Sequence, residues 1–540
     1  MSAARSEREA TFEGTGLFDP QELRLLAVVD RVREEPPEEL DAIYYDTPDL
    51  RLLTRGITLR RRSGGHDAGW HLKLPTGGPA RVEVHAPLKA GKGRAVPGEL
   101  LNRTAAYARG RALVPVAHLR THRRRHLLLD KRERCLAEVA QDTVAAQTLT
   151  PAPDRGRGEP TAGGKDGGKG GKGGVTRITQ WSEIEVELAD GAPGLLDAAA
   201  ERLGAAGWHP AATPRKLDRA LADELAAARP GPGRAARRIR AGSVGEAVMN
   251  RLGSQVDALL RSDAGTRTDA PDALHQMRSA ARRLRSVLRA HRRVLDRSRT
   301  DRVARELHWL TGVLADARDH EVLARRLPAQ AARLRRLDPD PAVRAAIRGL
   351  AGRLREQEGA RHAAAWGRAV AALGSPRYFA LLDDLDGLLA DPPLRRRARR
   401  PAGKQLRKAA EADRRRLTRR LAAAERAGDG REREVALHQV RKAARRARHT
   451  AEVALPYGGK RARRLRKRTK ELQQVLGDHQ DAAVARGALV SLAGEAHGTG
   501  TDTFGYGLLH AVQAADMAEA ARKLPRRAGR AVAAGLSRFA

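Results

Sequence analysis

The chain has 540 residues, and its 103 Lys and Arg against 65 Asp and Glu give a formal net charge of +38. This length is too great for one hydrophobic core and predicts two or three domains. The charge predicts a polyanionic partner such as nucleic acid, an anionic membrane surface or phosphate groups. Cys135 is the one cysteine, so the sequence excludes an intramolecular disulfide and a thiolate-rich metal site.

The N-terminal residues 1–13 are charged and lack the apolar core of a signal peptide. No run of about 18 apolar residues occurs in the sequence, which predicts the absence of a membrane span. The cytoplasm is therefore the expected compartment.

The first 227 residues predict a β-rich domain. Charged and apolar residues alternate over short segments, as in an antiparallel sheet or barrel. The predicted strands are residues 57–62 (ITLRRR), 70–74 (WHLKL), 81–85 (RVEVH), 119–129, 135–144 and 181–188 (WSEIEVEL), followed by a helix at 193–206. The Gly/Lys-rich residues 151–174 lie between predicted strands, so we interpret them as a long, flexible hairpin loop within one domain.

Acidic and basic residues recur at alternate positions of these strands, which places them on one face. The acids are Glu7, Glu9, Glu83, Glu183, Glu185 and Glu187, and the bases are Arg60, Arg62, Lys73 and Arg81. If the strands close into a barrel, both kinds of charge line its interior. Carboxylates and cations together predict a metal–triphosphate site, in which Mg²⁺ or Mn²⁺ bridges the carboxylates and the phosphate oxygens. The alternative is a barrel with these charges outside, in water.

Residues 5–224 resemble the CYTH domain of triphosphate tunnel enzymes. The resemblance rests on EREATF, YYDTPDLRLLTRGITLRRR, WHLKL, WSEIEVEL and PRKLDRAL. It implies a topologically closed eight-stranded barrel in a family that includes triphosphatases and a class of adenylyl cyclases. It further implies that Glu7, Glu9, Glu185 and Glu187 are metal ligands. It implies that Arg60, Arg62, Lys73 and Lys216 bind phosphate, and the strand position of Arg81 adds this residue to the phosphate-binding set.

Two positions depart from the CYTH pattern. Thr11 stands where the family's Glu-x-Glu-x-Lys hallmark has lysine, and His85 stands where related barrels often have a second acidic residue. Loss of a lysine near the reacting phosphate removes charge stabilisation or activation of water. Both a barrel that binds phosphate without hydrolysing it and a slow metal-dependent triphosphatase or polyphosphatase therefore remain open.

A basic linker rich in Pro and Gly is predicted at residues 228–242, and helical periodicity extends from residue 243 to 540. Proline-bounded residues 392–401 interrupt this half near its middle. Its two parts repeat each other: LHQMRSAARRLR at 274–285 matches LHQVRKAARRAR at 437–448, and VLADARDHEV at 313–322 matches VLGDHQDAAV at 475–484. The ordered repeat predicts a duplicated unit in a pseudo-twofold helical bundle. The expected fold class is thus α+β with two domains.

Each copy of the first motif carries a stripe of basic side chains at helical spacing. The stripes consist of His275, Arg278, Arg282, Arg285 and Arg289, and of His438, Arg441, Arg445 and Arg448. No acid lies between residues 274 and 295, although like charges at i,i+4 destabilise a helix. Two stripes facing one groove would suit a linear phosphate chain, because guanidinium groups bind phosphate oxygens bidentately. The alternative is a solvated charged face.

Residues 243–540 resemble the CHAD domain, the conserved-histidine α-helical domain, through LHQMRSAARRLR, LADARDHEV, LHQVRKAARRAR and LQQVLGDHQDAAVAR. The family is known for binding inorganic polyphosphate, which implies that role for His275, Arg278, Arg282, Arg283, His438, Arg441, Lys442 and Arg445. The sequence departs from the family at His449, where tyrosine is frequent. Asp319 and Asp481 are expected either to brace arginine side chains or to cap helices.

The resulting hypothesis is a CYTH domain fused to a CHAD domain that binds inorganic polyphosphate, as an enzyme or as a protein of polyphosphate granules. The alternative is a basic nucleic-acid-binding protein without enzymatic activity. Against that alternative, no helix-turn-helix or zinc-finger pattern is evident, and aromatic residues make up only 3% of the chain. A membrane-surface role is disfavoured because the basic helix faces lack an aromatic opposite face.

Overall fold

The computed structural model describes residues 9–14, 18–77, 81–149, 177–213, 215–228, 239–337, 340–428 and 430–534. The chain divides into two compact units, Met1–Pro230 and Gly231–Ala540. The predicted hairpin loop at 151–174, and most of the predicted linker, lie outside the described residues. Within the described part, no helix is long and apolar enough to cross a membrane.

The N-terminal unit is built on one antiparallel sheet. Its strands are β1 Glu9–Glu13, β2 Arg31–Glu34, β3 Glu38–Asp46, β4 Thr58–Ser63, β5 Gly69–Pro75, β6 Arg81–Ala86, β7 Val114–Leu129, β8 Cys135–Thr148, β9 Ile178–Leu188 and β10 His209–Pro210. They pair in the order β10-β1-β9-β8-β7-β3-β4-β5-β6, and β2 pairs with β7. Every predicted strand is present, whereas β2, β3 and β10 were not predicted.

The closed eight-stranded barrel implied by the CYTH resemblance is corrected by the structure. Ten strands form a barrel-like tunnel, and among the described residues no pairing joins β6 to the β1–β10 edge. Two short strands account for the extra members. β10 pairs with β1 through two residues, and β2 adds beside the Leu129 end of the long β7.

Alternation along the strands separates the core from the tunnel interior. On β9, Ile184 and Val186 are fully buried, and they pack with Leu195, Ala199 and Leu203 of the following helix. Glu183, Glu185 and Glu187 therefore lie on the opposite face, as the sequence predicted. The helices of this unit are α1 Gly98–Ala108, α2 Gly194–Ala205, α3 Lys216–Ala220 and α4 Ala222–Ala228.

The C-terminal unit is helical in its described residues. Its helices are α5 Val244–Arg267, α6 Ala273–Ala290, α7 Arg297–Leu337, α8 Pro341–Ala346, α9 Leu350–Leu373, α10 Pro376–Ala390, α11 Ala402–Arg426, α12 Arg431–Val453, α13 Leu455–Gly498 and α14 Phe504–Ala533. The predicted break at 392–401 falls between α10 and α11. Ser243 is the N-cap of α5, and its hydroxyl accepts a hydrogen bond from the Glu246 backbone N–H at 3.2 Å.

The internal repeat appears as two matching sets of helices. α5, α6, α7 and α9 pack consecutively, as do α11, α12, α13 and α14. Burial repeats with the sequence: Thr300, Val303 and Leu307 of α7 are buried, and so are Ala462, Leu465 and Thr469 of α13. The α10 helix packs on α7 and has no counterpart among the described helices of the second set.

Candidate functional site

A cavity of about 690 Å³ lies on the charged face of the sheet. The structure brings together there every predicted metal ligand and phosphate-binding residue of this unit that it describes, namely Glu9, Glu185, Glu187, Arg60, Arg62, Lys73, Arg81 and Lys216. Glu83 also lines the cavity, whereas Glu183 is buried and does not. Glu7 lies outside the described residues. The interpretation that these charges lie outside the barrel, in water, is therefore wrong for the described ones.

The charges are sorted into two walls by strand order. β1, β9 and β8 place Glu9, Glu187 and Glu138 side by side, because Glu9 pairs with Glu187 and Glu187 pairs with Glu138. We call this side the acidic wall. β7 and β3 separate this side from β4, β5 and β6. These three strands carry the basic wall, formed by Arg60, Arg62, Lys73 and Arg81. One wall suits a cation, and the other suits an anion.

Lys216 of α3 reaches into the end of the acidic wall. Its Nζ lies 3.0 Å from a carboxylate oxygen of Asp142 and 2.6 Å from one of Glu185, and it also contacts Glu183. Burial opposes the charge of Lys216, but the three carboxylates together outweigh burial and raise its pKa. The lysine is therefore a permanent cation in this cluster.

Arg123 of β7 joins the same cluster from the other side. It donates two hydrogen bonds to Asp142, at 2.8 and 2.6 Å, and one to Glu185 at 2.7 Å. Burial acts to raise the pKa of Glu185, but Lys216 and Arg123 outweigh it and lower that pKa to about 2. The carboxylate of Glu185 thus stays charged over the whole physiological range.

On the basic wall, Arg62 is crowded by like charge. Burial, followed by Arg60 and Arg123, lowers its pKa to about 9, and its ion pair in this region is with Asp67. A guanidinium whose charge is disfavoured in this way is stabilised when an anion binds beside it. This arrangement favours phosphate over a neutral ligand.

His71 and Glu83 connect β5 to β6 at the basic wall. The His71 Nδ1 lies 3.0 Å from a Glu83 oxygen, and Lys73 Nζ lies 3.6 Å from the other oxygen. Burial lowers the pKa of His71 to about 4, so the ring is neutral at pH 7. His85, the second departure from the CYTH pattern, stacks edge-on against His71 with ring centroids 4.9 Å apart.

The carboxylates around Lys216, at the end of the acidic wall, have the chemistry of a divalent cation site. Asp142, Glu183 and Glu185 offer oxygens within 4.8 Å of one another, and carboxylates are the ligands that hard divalent cations prefer. The Lys216 ammonium occupies the space among these three, so a metal ion there competes with it. Glu9, Glu138 and Glu187 provide a second row of oxygens along the same wall.

Four residues that line the cavity were not predicted from the sequence, namely Tyr44, His71, Arg123 and Glu138. The buried Asp142, which contacts Lys216, was not predicted either. Most of these residues lie on strands whose position was predicted. Arg123 of β7 and Asp142 of β8 are register partners, so their side chains lie on the same face of the sheet. The period of two along each strand is the sequence signal for that position.

In the helical unit, α6 packs against α12 and brings the two predicted stripes together. Met277, Ala281, Leu284 and Leu288 form the buried opposite face of α6, as predicted. Across the groove, Arg278 is repelled by Arg441 and Arg282 by Arg445. We call this surface the α6–α12 groove.

The groove is a concentrated positive site with little internal neutralisation. Burial and neighbouring guanidiniums lower the pKa of Arg282 to about 9 and that of Arg445 to about 10. Within the described helices, Arg282, Arg441 and Arg445 form no ion pair. The Nε atoms of Arg278 and Arg282 are buried and have no hydrogen-bond partner in the described part of the chain, a state that costs free energy until an acceptor binds.

The histidines stand at one end of the groove. His275 and His438 are exposed, and their pKa values are lowered by partial burial and by nearby cations, chiefly Arg318 for His275 and Lys442 for His438. Lys442 is exposed beside them, and Arg285 lies half-buried further along α6. A bound anion raises these two pKa values and favours the protonated rings.

Arg283 and Arg448 do not share the unpaired state of the groove arginines. Glu452 receives a hydrogen bond from the Arg448 Nε at 3.0 Å and lies 3.8 Å from the Arg283 Nε. Arg251 of α5 also contacts this carboxylate. Buried His449 adjoins the cluster, and burial, followed by Arg283 and Arg445, lowers its pKa well below the ordinary range. Glu452 thus anchors these side chains beside the groove.

The two aspartates are not helix caps. Asp319 lies inside α7 and Asp481 inside α13, each far from a helix end. The alternative role holds for Asp319, whose carboxylate lies 3.8 Å from Arg278. Burial raises the pKa of Asp481, and Arg441 is the cation that opposes this rise most strongly. Asp481 therefore interacts electrostatically with Arg441.

Comparisons with known proteins agree with this architecture. The CYTH domain model matches residues 17–207, and the CHAD domain model matches residues 250–490. The chain therefore belongs to the class of proteins in which a CYTH domain is followed by a CHAD domain, and both resemblances are confirmed. The chain belongs to the same family as the Uncharacterized protein MT2285 of Mycobacterium tuberculosis (strain CDC 1551 / Oshkosh), to which it is 39% identical over 511 residues, covering 92% of this chain and 90% of that protein.

Two solved structures resemble parts of the chain. PptA from Streptomyces chartreusis has 24% sequence identity and a TM-score of 0.42, covering 53% of this chain and 99% of that one. The crystal structure of the CHAD domain from the plant Ricinus communis has 27% identity and a TM-score of 0.42, covering 55% and 96%.

Proposed function

We propose that the helical unit binds inorganic polyphosphate in the α6–α12 groove. The observation that carries this proposal is the pair of buried, unpartnered Nε donors of Arg278 and Arg282 in a cluster of mutually repelling guanidiniums. A phosphate chain satisfies these donors and neutralises the repulsion in one step. Arg282, Arg441 and Arg445, which form no ion pair among the described residues, support the assignment of an anion to this groove.

The shape of the groove favours a chain over a single phosphate. His275 and Arg285 are ten residues apart on α6, which corresponds to about 15 Å of helix at about 1.5 Å per residue. Cations recur along this length on both helices, so several consecutive phosphates are contacted at once. Neutralising many phosphates releases counterions, and binding should therefore weaken steeply with salt.

Binding of polyphosphate to the full chain, measured across a salt series, tests the proposal. The variant Arg282→Gln/Arg445→Gln should lose at least about tenfold in affinity and show a shallower salt dependence. A matched control, Arg305→Gln/Arg355→Gln, removes two exposed cations of the same unit that form no ion pair among the described residues. Equal losses in both variants would show diffuse charge attraction and contradict the proposal. A fluorescent fusion located on polyphosphate granules would extend it to the cell.

For the N-terminal unit, the two-walled cavity supports binding of a triphosphate group together with Mg²⁺ or Mn²⁺. Arg60, Arg62, Lys73 and Arg81 would hold phosphate oxygens, and Glu9, Glu185 and Glu187 would hold the cation. A bound divalent ion supplies charge neutralisation at the phosphate oxygens. Lys216 holds a positive charge at Glu185, which is the register partner of Thr11, the position where the family hallmark has lysine.

Calorimetric titration of the full chain with inorganic triphosphate, with and without Mg²⁺ or Mn²⁺, tests this second proposal. We expect binding that the metal strengthens and that Arg62→Gln weakens by about tenfold, at roughly 1.4 kcal/mol of binding free energy. Phosphate release, measured in parallel, separates an enzyme from a binding domain. Metal-independent binding with equal affinity in the variant would contradict the assigned walls.

A further inference from the structure

A second basic surface lies on α13, away from the residues assigned to the groove. The helix is interrupted at Gly459, which has φ 48°, and resumes as KRARRLRKRTK over residues 460–470. Seven of these residues are exposed cations: Lys460, Arg461, Arg463, Arg464, Arg466, Lys467 and Lys470. We call them the α13 basic face. Across the described residues, none of the seven takes part in an ion pair.

The internal repeat supplies a comparison for this face. The matching segment of α7 also carries arginines, but acids of α10 and of the residue that follows it pair with two of them. Arg299 pairs with Asp391 at 2.9 Å, and Arg302 pairs with Asp384. Glu306, one turn further on α7, pairs with Arg377 of α10 at 2.6 Å. The second set of helices has no counterpart of α10 among the described residues. Arg461 and Arg464, which correspond to Arg299 and Arg302, therefore have no acidic helix packed beside them there.

The distribution of these cations around the helix indicates the shape of the missing partner. At about 100° per residue, the seven cations cover an arc of roughly 220°, whereas Ala462, Leu465 and Thr469 occupy the narrow buried side. A single extended phosphate chain follows one line of a helix and leaves most of such an arc unused. A concave partner with negative charge on both sides of the helix uses all of it.

The major groove of duplex nucleic acid has this form. It is about 12 Å wide, it admits one α-helix, and rows of phosphates flank it on both sides. The exposed positions are all Lys or Arg, which suits phosphate contacts without a reading of base sequence.

We infer that the α13 basic face is a second binding site, which takes duplex DNA through sequence-independent contacts with its phosphates. The residues of this site are distinct from those of the α6–α12 groove. The inference does not depend on the proposed function of the groove.

Fluorescence anisotropy of a labelled random-sequence duplex with the full chain, across a salt series, tests the inference. The variant Arg461→Gln/Arg464→Gln/Lys467→Gln should lower the slope of log affinity against log salt by about 2.7, at about 0.9 per phosphate contact. Relative to 1 M salt, where the two proteins should bind alike, this corresponds to a loss of roughly 500-fold at about 0.1 M salt. All three residues are exposed, and unchanged circular dichroism and polyphosphate binding would show that the variant is folded.

Two controls make each outcome decisive. Arg305→Gln/Arg333→Gln/Arg355→Gln removes the same formal charge from exposed positions elsewhere and should leave duplex binding within about threefold, because scattered charges form no continuous contact. Arg282→Gln/Arg445→Gln should leave duplex binding intact. Equal losses in the scattered variant, or loss of duplex binding in the groove variant, would overturn the inference. So would a loss of polyphosphate binding alone in the α13 variant.

Discussion

Replacing Arg282 with glutamine should stabilise the helical unit in the absence of ligand and weaken its binding of polyphosphate. Arg282 is half-buried on α6, and burial, followed by Arg445 and Arg278, lowers its pKa to about 9. Because this pKa lies below that of the unfolded chain, the folded state disfavours the charge. The penalty is fully present below about pH 9, and so at pH 7.

The magnitude follows from this shift. The fall in the pKa of Arg282 from the ordinary arginine value to about 9 disfavours the charged form by at most about 5 kcal/mol, at about 1.36 kcal/mol for each pKa step. Burial causes the largest part, and a buried glutamine amide retains some of that cost. Glutamine also loses the packing of the longer arginine stem. We therefore expect a net increase of about 1 kcal/mol in the free energy of unfolding.

Urea unfolding of the full chain, followed by the helical circular dichroism signal, measures this change. A ligand at a hundred times its dissociation constant should stabilise the wild type by about 2.7 kcal/mol and the variant by clearly less. Arg282→Lys retains the charge and should show no gain without ligand. A glutamine variant that is less stable than the wild type by about 1 kcal/mol, or that polyphosphate stabilises equally, would refute the reasoning.

Three further predictions concern charges at the two sites. Lys216→Met leaves the buried carboxylates of Asp142 and Glu183 and the half-buried carboxylate of Glu185 without their ammonium. It should lower the stability of the N-terminal unit by about 3 kcal/mol, measured by tryptophan fluorescence in urea; added Mg²⁺ should restore part of this loss, and unchanged stability would contradict the cluster. Because the folded pKa of Glu185 is lowered to about 2, its contribution to stability is present above about pH 4.5 and is lost as pH falls toward 2; denaturation profiles of wild type and Glu185→Gln should therefore converge over that window. Since bound anions raise the lowered pKa values of His275 and His438, polyphosphate affinity should rise as pH falls from 8 to 5.5, and His275→Gln/His438→Gln should flatten that dependence in binding titrations.

The predicted strands and helices largely match the structure because their patterns are local. The alternation in WSEIEVEL placed Glu185 and Ile184 on opposite faces, and burial of Ile184 confirms this. The stripe of Arg278 and Arg282 followed in the same way from helical spacing. β2 and β3 were not predicted, and the closed eight-stranded barrel was wrong, because strand number and closure depend on long-range pairing such as that of Arg31 with Leu129.

What the sequence by itself determined is therefore the order of the domains, the internal repeat and the faces on which the charged residues lie. Only the tertiary structure decided which charges are neutralised. Arg283 and Arg282 are adjacent in sequence, yet Glu452 of another helix lies beside Arg283, while Arg282 has no such partner within the described residues. Likewise, Lys216 and Arg123 meet Glu185 only after folding. Electrostatic free energy depends on distances and burial in space, and a one-dimensional pattern specifies neither.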